Sequence, residues 1–199
     1  MNSESPELNN FERERFNVRN AVKEDIEEIL RIQNERLLDN EKHGDDLIEN
    51  GFLVNPISAQ DLNEAIDHPE TSFLYIAQDK NNSTVGYLLA YDFLSFVKEH
   101  PEWKKEVGPL SLNLESEKVI YGKHVAIDKS AMGAGSALEE NFFQASKKNG
   151  YSLFIGEICE GPIENKRSVD FHTKKFDLNK IGSYQDGNKY SWGIYAKKL

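Results

Sequence analysis

Two closely spaced glycines, Gly133 and Gly135, are the residues whose type and spacing most directly suggest chemistry. They follow an apolar segment rich in β-branched residues and precede a run in which Leu138, Phe142 and Ala145 recur at helical spacing. The first turn of a helix leaves backbone N–H groups without intrahelical partners, and its dipole adds partial positive charge. Because glycine has no Cβ, a phosphate can approach such a turn closely. The pattern predicts strand, loop and helix, with the loop either binding an anion or simply connecting the two elements.

Two common phosphate-binding motifs make different demands on this loop. The P-loop requires G-x-x-x-x-G-K-[ST], and the chain contains no such string. The dinucleotide fingerprint requires G-x-G-x-x-G directly after a strand, with an acidic residue about 20 positions later. Glu157 meets the last requirement, but Leu138 occupies the position of the third glycine. Dinucleotide binding therefore stays open as an alternative.

The loop resembles the cofactor motif of the GNAT superfamily of acetyl-CoA-dependent N-acetyltransferases. In that family an apolar strand is followed by Q/R-x-x-G-x-G/A, and here Val125 precedes residues 130–135, which read Ser-Ala-Met-Gly-Ala-Gly. Ser130 departs from the usual glutamine or arginine. A second segment is similar to the family's N-x-x-S/A-x-x-F-Y/H motif, and also to the N-x-x-S-x-x-F-H motif of a predicted-acetyltransferase subgroup; the matching residues are Asn165, Ser168, Phe171 and His172. The resemblance covers roughly residues 72 to 185.

The resemblance implies a site for acetyl-CoA, with coenzyme A as the product. In the family two neighbouring strands separate, and the pantetheine arm pairs with an exposed strand edge. By resemblance, this edge comprises Lys123, His124 and Val125. The loop that holds the diphosphate then comprises Ala131, Met132, Gly133, Ala134, Gly135 and Ser136. Asn165 is expected to bind the pantetheine, or to lie beside it, through its amide.

Acetyl transfer to an amine requires a neutral amine and a proton for the departing thiolate. Glu157 stands where several family members carry a glutamate, so it is expected to accept the amine's proton through a water; the alternative is a glutamate that faces solvent or pairs with a lysine. His172 takes the place of the tyrosine that protonates coenzyme A in many members, and an imidazolium can do the same. The alternative is a helix histidine packed beside the cofactor. His124 is a further candidate base, or a core residue.

Composition limits the remaining possibilities. The 199 residues are 38% hydrophobic and 29% charged, which predicts one core and a single domain. The net charge of −10 argues against a nucleic-acid partner, and it favours a cationic acceptor or simply keeps the protein soluble. Cys159 is the only cysteine, which fits a cytoplasmic protein without disulfides or a metal cluster. No apolar run approaches the roughly 18 residues of a membrane span.

The rest of the sequence predicts the elements that position these residues. Residues 1–12 are expected to form a flexible tail without the features of a secretory signal, and 13–199 a single domain. Alternating and helical patterns along the chain predict an α/β fold with a mixed sheet. The resemblance to the GNAT superfamily implies that this sheet is mostly antiparallel, has about six to seven strands and a central splay, and is flanked by about four helices. The aromatic-rich residues 93–117 are expected to be a surface excursion or to cover the acceptor site.

Two functions follow from this pattern. One is an N-acetyltransferase that moves acetyl from acetyl-CoA directly to a primary amine of a small molecule or peptide. The other is a non-catalytic acyl-CoA-binding module that senses or regulates. Neither requires a metal, and a homodimer is compatible with both.

Overall fold

The structure, a computed structural model, describes residues 15–38, 48–103, 110, 114, 117–187 and 190–199. The tail expected over residues 1–12 lies outside these ranges. Seven strands in the described part form one sheet: β1 (Asn17–Asn20), β2 (Ser72–Gln78), β3 (Thr84–Asp92), β4 (Val119–Ile127), β5 (Leu153–Gly161), β6 (Asn179–Gln185) and β7 (Ser191–Lys198). Their order is β1-β2-β3-β4-β5-β7-β6, and only the β4–β5 pair is parallel. The predicted mixed, mostly antiparallel sheet is therefore confirmed.

Helices connect these strands and cover the sheet. The described helices are α1 (Ile26–Arg36), α2 (Ala59–Asp67), α3 (Phe93–Glu99), α4 (Ala134–Lys148) and α5 (Lys166–Asp170), which continues into a π-helical turn (Phe171–Lys175). Helix α2 begins with a capping box, in which Ser58 and Asp61 each bind the other's backbone N–H. None of the described helices has the length and apolar character that crossing a membrane requires.

The two faces of the sheet carry different helices. Along β3, Leu88 and Ala90 pack in the core cluster that includes α4, whereas Tyr87 and Leu89 pack in the cluster that includes α1 and α2. This alternation is the period-two pattern of a strand. Tyr91 contacts both the α1–α2 cluster and the cluster that contains α3, so α3 lies on the same face as α1 and α2.

Helix α3 was not expected as a helix from the sequence. Asp92 caps it by accepting a hydrogen bond from Ser95 N at 3.0 Å. Phe93, Phe96 and Val97 are buried against the sheet, and this apolar face stabilises the short helix. The aromatic segment beginning at residue 93 therefore packs onto the sheet as an element of its own.

Strands β4 and β5 separate halfway along their length. They pair from Val119 and Leu153 as far as Gly122 and Gly156, after which β4 continues beside β3 and β5 continues beside β7. A Cβ on Gly122 would lie 2.6 Å from the Phe154 ring. The two glycines thus leave room for this ring where the strands part, and the predicted central splay is confirmed.

A β-bulge in β4 lies next to this point. The register shifts so that Leu89 opposes His124 while Ala90 opposes Gly122, and Lys123 has no opposite residue. A bulge re-aims side chains locally. As a result, Lys123 lies near Phe96 and the adjacent His124 lies near Tyr87, both on the face that α1, α2 and α3 cover.

Replacing Gly122 with alanine should destabilise the fold by about 1–3 kcal/mol, because the added methyl overlaps the Phe154 ring. That ring is held by Phe142 and Phe143, with ring centroids 5.8 and 5.2 Å away, so it has little room to move. Urea unfolding measures the change. Gly187→Ala is the matched control, because its Cβ meets nothing within 4 Å. Equal unfolding midpoints for the two variants would contradict this account of the splay.

Candidate active site

A cavity of about 440 Å³ lies where β4 and β5 diverge. It brings together residues that are far apart in the sequence, including ten of the twelve predicted site residues: Lys123, His124, Val125, Met132, Gly133, Gly135, Ser136, Glu157, Asn165 and His172. Ala131 and Ala134 belong to the same loop but do not line the cavity. Along the cavity, no strand of the described chain pairs with the β5-facing edge of β4 beyond Gly122.

The loop before α4 leaves several backbone amides available at the cavity. Gly133 is the N-cap residue and has a φ of 97°, a left-handed conformation that favours glycine. Ala131 N donates to Asp128 O and Ala134 N donates to Ala131 O, so these two amides are used inside the loop. Among the described residues, Gly133, Gly135 and Ser136 donate their amides to no protein acceptor. This turn is therefore suited to binding an anion.

Glu157 is held by two aromatic donors. Trp103 Nε1 donates to its Oε1 at 2.5 Å and the Tyr121 hydroxyl donates to its Oε2 at 2.7 Å. Burial, followed by the nearby Glu157 carboxylate, raises the pKa of Tyr121 well above 10.0, so this phenol stays a donor. Each carboxylate oxygen retains a second lone pair for a water or an amine. Neither Trp103 nor Tyr121 was singled out from the sequence.

His124 is buried and poorly suited to accept a proton. Its Nδ1 lies 3.2 Å from the Tyr87 hydroxyl. Burial, together with the charge of Lys123, lowers the pKa of His124 from 6.5 to about 3, although a hydrogen bond with the Asn55 backbone opposes the shift. A group with so low a pKa is a weak base, and the structure favours packing for this histidine.

His172 binds acceptors through both ring nitrogens. Its Nε2 lies 2.7 Å from Oε1 of Glu139, a residue of α4 that is only 1% exposed. Its Nδ1 lies 2.7 Å from the Ser168 carbonyl oxygen. Burial lowers the pKa of His172, but the Glu139 charge and these hydrogen bonds outweigh it and raise the pKa above 6.5. The side chain therefore ties the π-helical turn to α4, and passing on a proton would require one of these bonds to break.

This ion pair should make the protein less stable as the pH rises. The folded state holds the proton of His172 more tightly than the unfolded state, so the pair contributes fully below pH 6.5 and its contribution is lost as the pH rises through the raised pKa. Urea unfolding from pH 6.5 upward measures the decline. Glu139→Gln removes the charge that raises the pKa of His172 and leaves burial and the Ser168 hydrogen bond, so the decline should become smaller. The exposed His68 offers a matched control, since His68→Gln also replaces a histidine but leaves the His172–Glu139 pair intact. An identical slope in wild type and Glu139→Gln would rule out the pair as its cause.

Asn165 connects α5 to the cavity wall. Its Nδ2 donates to Phe52 O at 2.7 Å, and its Oδ1 accepts from Ser168 N at 3.2 Å. The amide thus caps the helix and fixes the wall segment that contains Phe52, which leaves one N–H and one lone pair for other partners. Phe52 packs on Cys159, a buried cysteine whose thiol pKa is raised by burial.

Solved structures with the same fold include N-acetyltransferases. An N-acetyltransferase from Staphylococcus aureus Mu50 is 19% identical, with a TM-score of 0.60, and the match covers 92% of this chain and 98% of that one. Ard1 from Thermoplasma volcanium is 14% identical, with a TM-score of 0.64 and coverages of 92% and 97%. The ribosomal-protein-S18-alanine N-acetyltransferase from Escherichia coli is 11% identical, with a TM-score of 0.58 and coverages of 92% and 94%. Neither a protein-family model nor a curated protein sequence matches this chain.

These likenesses show that the chain has the fold of the GNAT N-acetyltransferases. The dinucleotide alternative loses its support, because that fingerprint belongs to a doubly wound, mostly parallel sheet. In the described sheet only β4 and β5 pair in parallel, over four residue pairs.

Proposed function

We propose that the protein is an N-acetyltransferase that transfers the acetyl group of acetyl-CoA directly to a primary amine. One observation carries the proposal: a single cavity joins the open edge of β4, the available amides of the α4 turn and the Glu157 carboxylate. The fold shared with known N-acetyltransferases supports the same reading.

The β4 edge and the α4 turn fit the two ends of acetyl-CoA. Backbone groups of Lys123, His124 and Val125 would pair with the amides of the pantetheine arm, as an added strand does. The amides of Gly133, Gly135 and Ser136 would bind the diphosphate, which is favoured by the helix dipole. When bound, acetyl-CoA supplies the acetyl group as an activated thioester.

Glu157 would act as the general base. A primary amine is protonated near neutral pH and cannot attack until it loses a proton. The Glu157 carboxylate faces the cavity and keeps lone pairs for the amine or for an intervening water. Trp103 and Tyr121 fix its position and so limit the geometries that it can adopt.

The buried pair of His172 and Glu139 would position α5 and the π-helical turn beside the bound cofactor. Both ring nitrogens of His172 already contact protein acceptors. We therefore propose that His172 fixes the position of this cavity wall and does not protonate the departing thiolate directly. Asn165 stabilises the same wall by donating a hydrogen bond to the Phe52 carbonyl oxygen.

A coupled assay of thiol release and product mass tests the proposal. The protein is incubated with acetyl-CoA and a panel of primary amines and peptides. We expect free coenzyme A to appear only with an acceptor, together with a product that is heavier by one acetyl group. Tight binding of acetyl-CoA without transfer to any amine would instead favour a binding module.

A further inference from the structure

A second residue with an ionisable side chain, Lys123, lines the same cavity as Glu157. Its Nζ lies 5.9 Å from the centre of the Phe96 ring. Within the described part of the chain, this Nζ makes no hydrogen bond and no ion pair. A partly buried cation without an acceptor is unfavourable, and a ligand with a negative charge would relieve that cost.

The carboxylates near Lys123 are already bound by other groups. Burial lowers the pKa of Lys123 from its ordinary 10.5, and the charges of Glu157 and Asp61 act in the opposite direction. Asp61 is engaged by Ser58 in the capping box, and Glu157 is engaged by its two aromatic donors. Neither carboxylate forms an ion pair with Lys123, so neither of them occupies the side-chain nitrogen.

One aromatic pair supports both charged groups. Phe96 and Tyr121 stack with ring centroids 4.0 Å apart and planes 25° apart. Phe96 lies beside the Lys123 ammonium, and Tyr121 donates to Glu157. The stacked pair therefore contacts both Lys123 on β4 and Glu157 on β5, at the point where the two strands diverge.

We propose that Lys123 binds an acidic group of the acceptor, which makes the preferred acceptor an amine that also carries a carboxylate, as an α-amino acid does. The inference rests on the acetyltransferase function proposed above. Glu157 faces the ammonium end of such a zwitterion and Lys123 faces its carboxylate end. An amine without the acidic group leaves the lysine without a partner, and sites built for a polar group discriminate against ligands that lack it.

Matched acceptors and variants test this proposal. Steady-state acetylation is measured for α-amino acids and for the corresponding amides, which keep the skeleton but lose the negative charge. In wild type we expect kcat/KM to be at least roughly tenfold higher for the acids, since a charge-assisted hydrogen bond is worth that much. In Lys123→Met this ratio should fall to about one, and Lys123→Arg should retain most of it. Lys98→Met is the control, because this exposed lysine of α3 does not line the cavity.

Several results would overturn the inference. One is a wild-type enzyme that acetylates acids and amides equally well, and another is a preference for acids that remains in Lys123→Met. A third is an equal loss of kcat/KM for acids and amides in Lys123→Met, which would indicate that Lys123 acts on the leaving thiolate. If no amine is acetylated, the proposed function fails, and a binding experiment then tests the role of Lys123 on its own. Calorimetric titration of α-amino acids into protein saturated with coenzyme A should show binding to wild type but not to Lys123→Met. Equal binding to the two proteins, or no binding to either, would overturn the inference.

Discussion

Replacing Glu157 with glutamine should lower kcat/KM for the acceptor amine by roughly 100- to 10,000-fold, the usual contribution of a general base. Glutamine has the same shape and can still bind both neighbours. Its oxygen can accept from Trp103, and its amide can donate to the Tyr121 hydroxyl oxygen. The loss should therefore come from the missing base, with the thermal midpoint and the affinity for acetyl-CoA close to those of wild type.

The chain offers a matched control for this variant. Glu160 lies on the same strand, accepts a hydrogen bond from the Tyr195 hydroxyl at 2.7 Å, and does not line the cavity. Glu160→Gln should retain wild-type acetylation. Steady-state rates over a range of pH give the comparison. Near-wild-type activity of Glu157→Gln with every accepted amine would remove Glu157 from the mechanism.

Replacing Ser136 with proline should weaken acetyl-CoA binding by roughly 10- to 150-fold, because it removes one amide that would bind a charged diphosphate oxygen. Proline is tolerated in the first turn of a helix, where the lost N–H has no intrahelical partner. The preceding residue, Gly135, has no Cβ to meet the proline ring. The substitution therefore removes a donor with little strain on α4.

Two comparisons isolate the amide from other effects. Ser136→Ala removes the hydroxyl but keeps the amide, so its affinity for acetyl-CoA should stay near that of wild type. S-acetylpantetheine has no diphosphate, so wild type and Ser136→Pro should bind it equally. Calorimetric titration measures all five affinities: three for acetyl-CoA and two for S-acetylpantetheine. A loss that is the same for both thioesters would show that the proline disturbs the pantetheine site instead of the diphosphate site.

Local sequence patterns were sufficient to predict the strand, the loop and the helix that border the site. The β-branched residues before Gly133 and the helical spacing after Gly135 marked the junction of β4 and α4, because each signal lies within a few residues of sequence. Glu157 could be placed at the cavity by the resemblance to the acetyltransferase family, in which several members carry a glutamate at this position. The order of elements then determined which strand ends lie together.

Partners that are distant in sequence could not be predicted. Trp103 reaches Glu157 across 54 residues, and Glu139 reaches His172 across 33. The periodicity of apolar residues does not indicate such contacts, because they depend on how the helices pack on the sheet. The bulge at Lys123 was missed for the same reason: it is a mismatch between two strands, and neither strand shows it alone.

The short helix α3 shows how packing overrides a weak local signal. Its seven residues are too few to form a stable helix in isolation, and the sequence suggested only an aromatic excursion. Phe96 nevertheless stacks on Tyr121 of β4, which brings the segment to the cavity. Trp103 donates a hydrogen bond to Glu157, and the expectation that residues 93–117 cover the acceptor site stays a prediction.

The central claim is that the α4 turn and the open edge of β4 bind acetyl-CoA, and backbone amide chemical shifts test it most directly. Isotope-labelled protein is titrated with acetyl-CoA and each amide resonance is followed to saturation. We predict the largest shifts at Gly133, Gly135 and Ser136, followed by the edge residues from Lys123 to Val125. Saturation with no change at these amides, or with changes confined to another surface, would contradict the account.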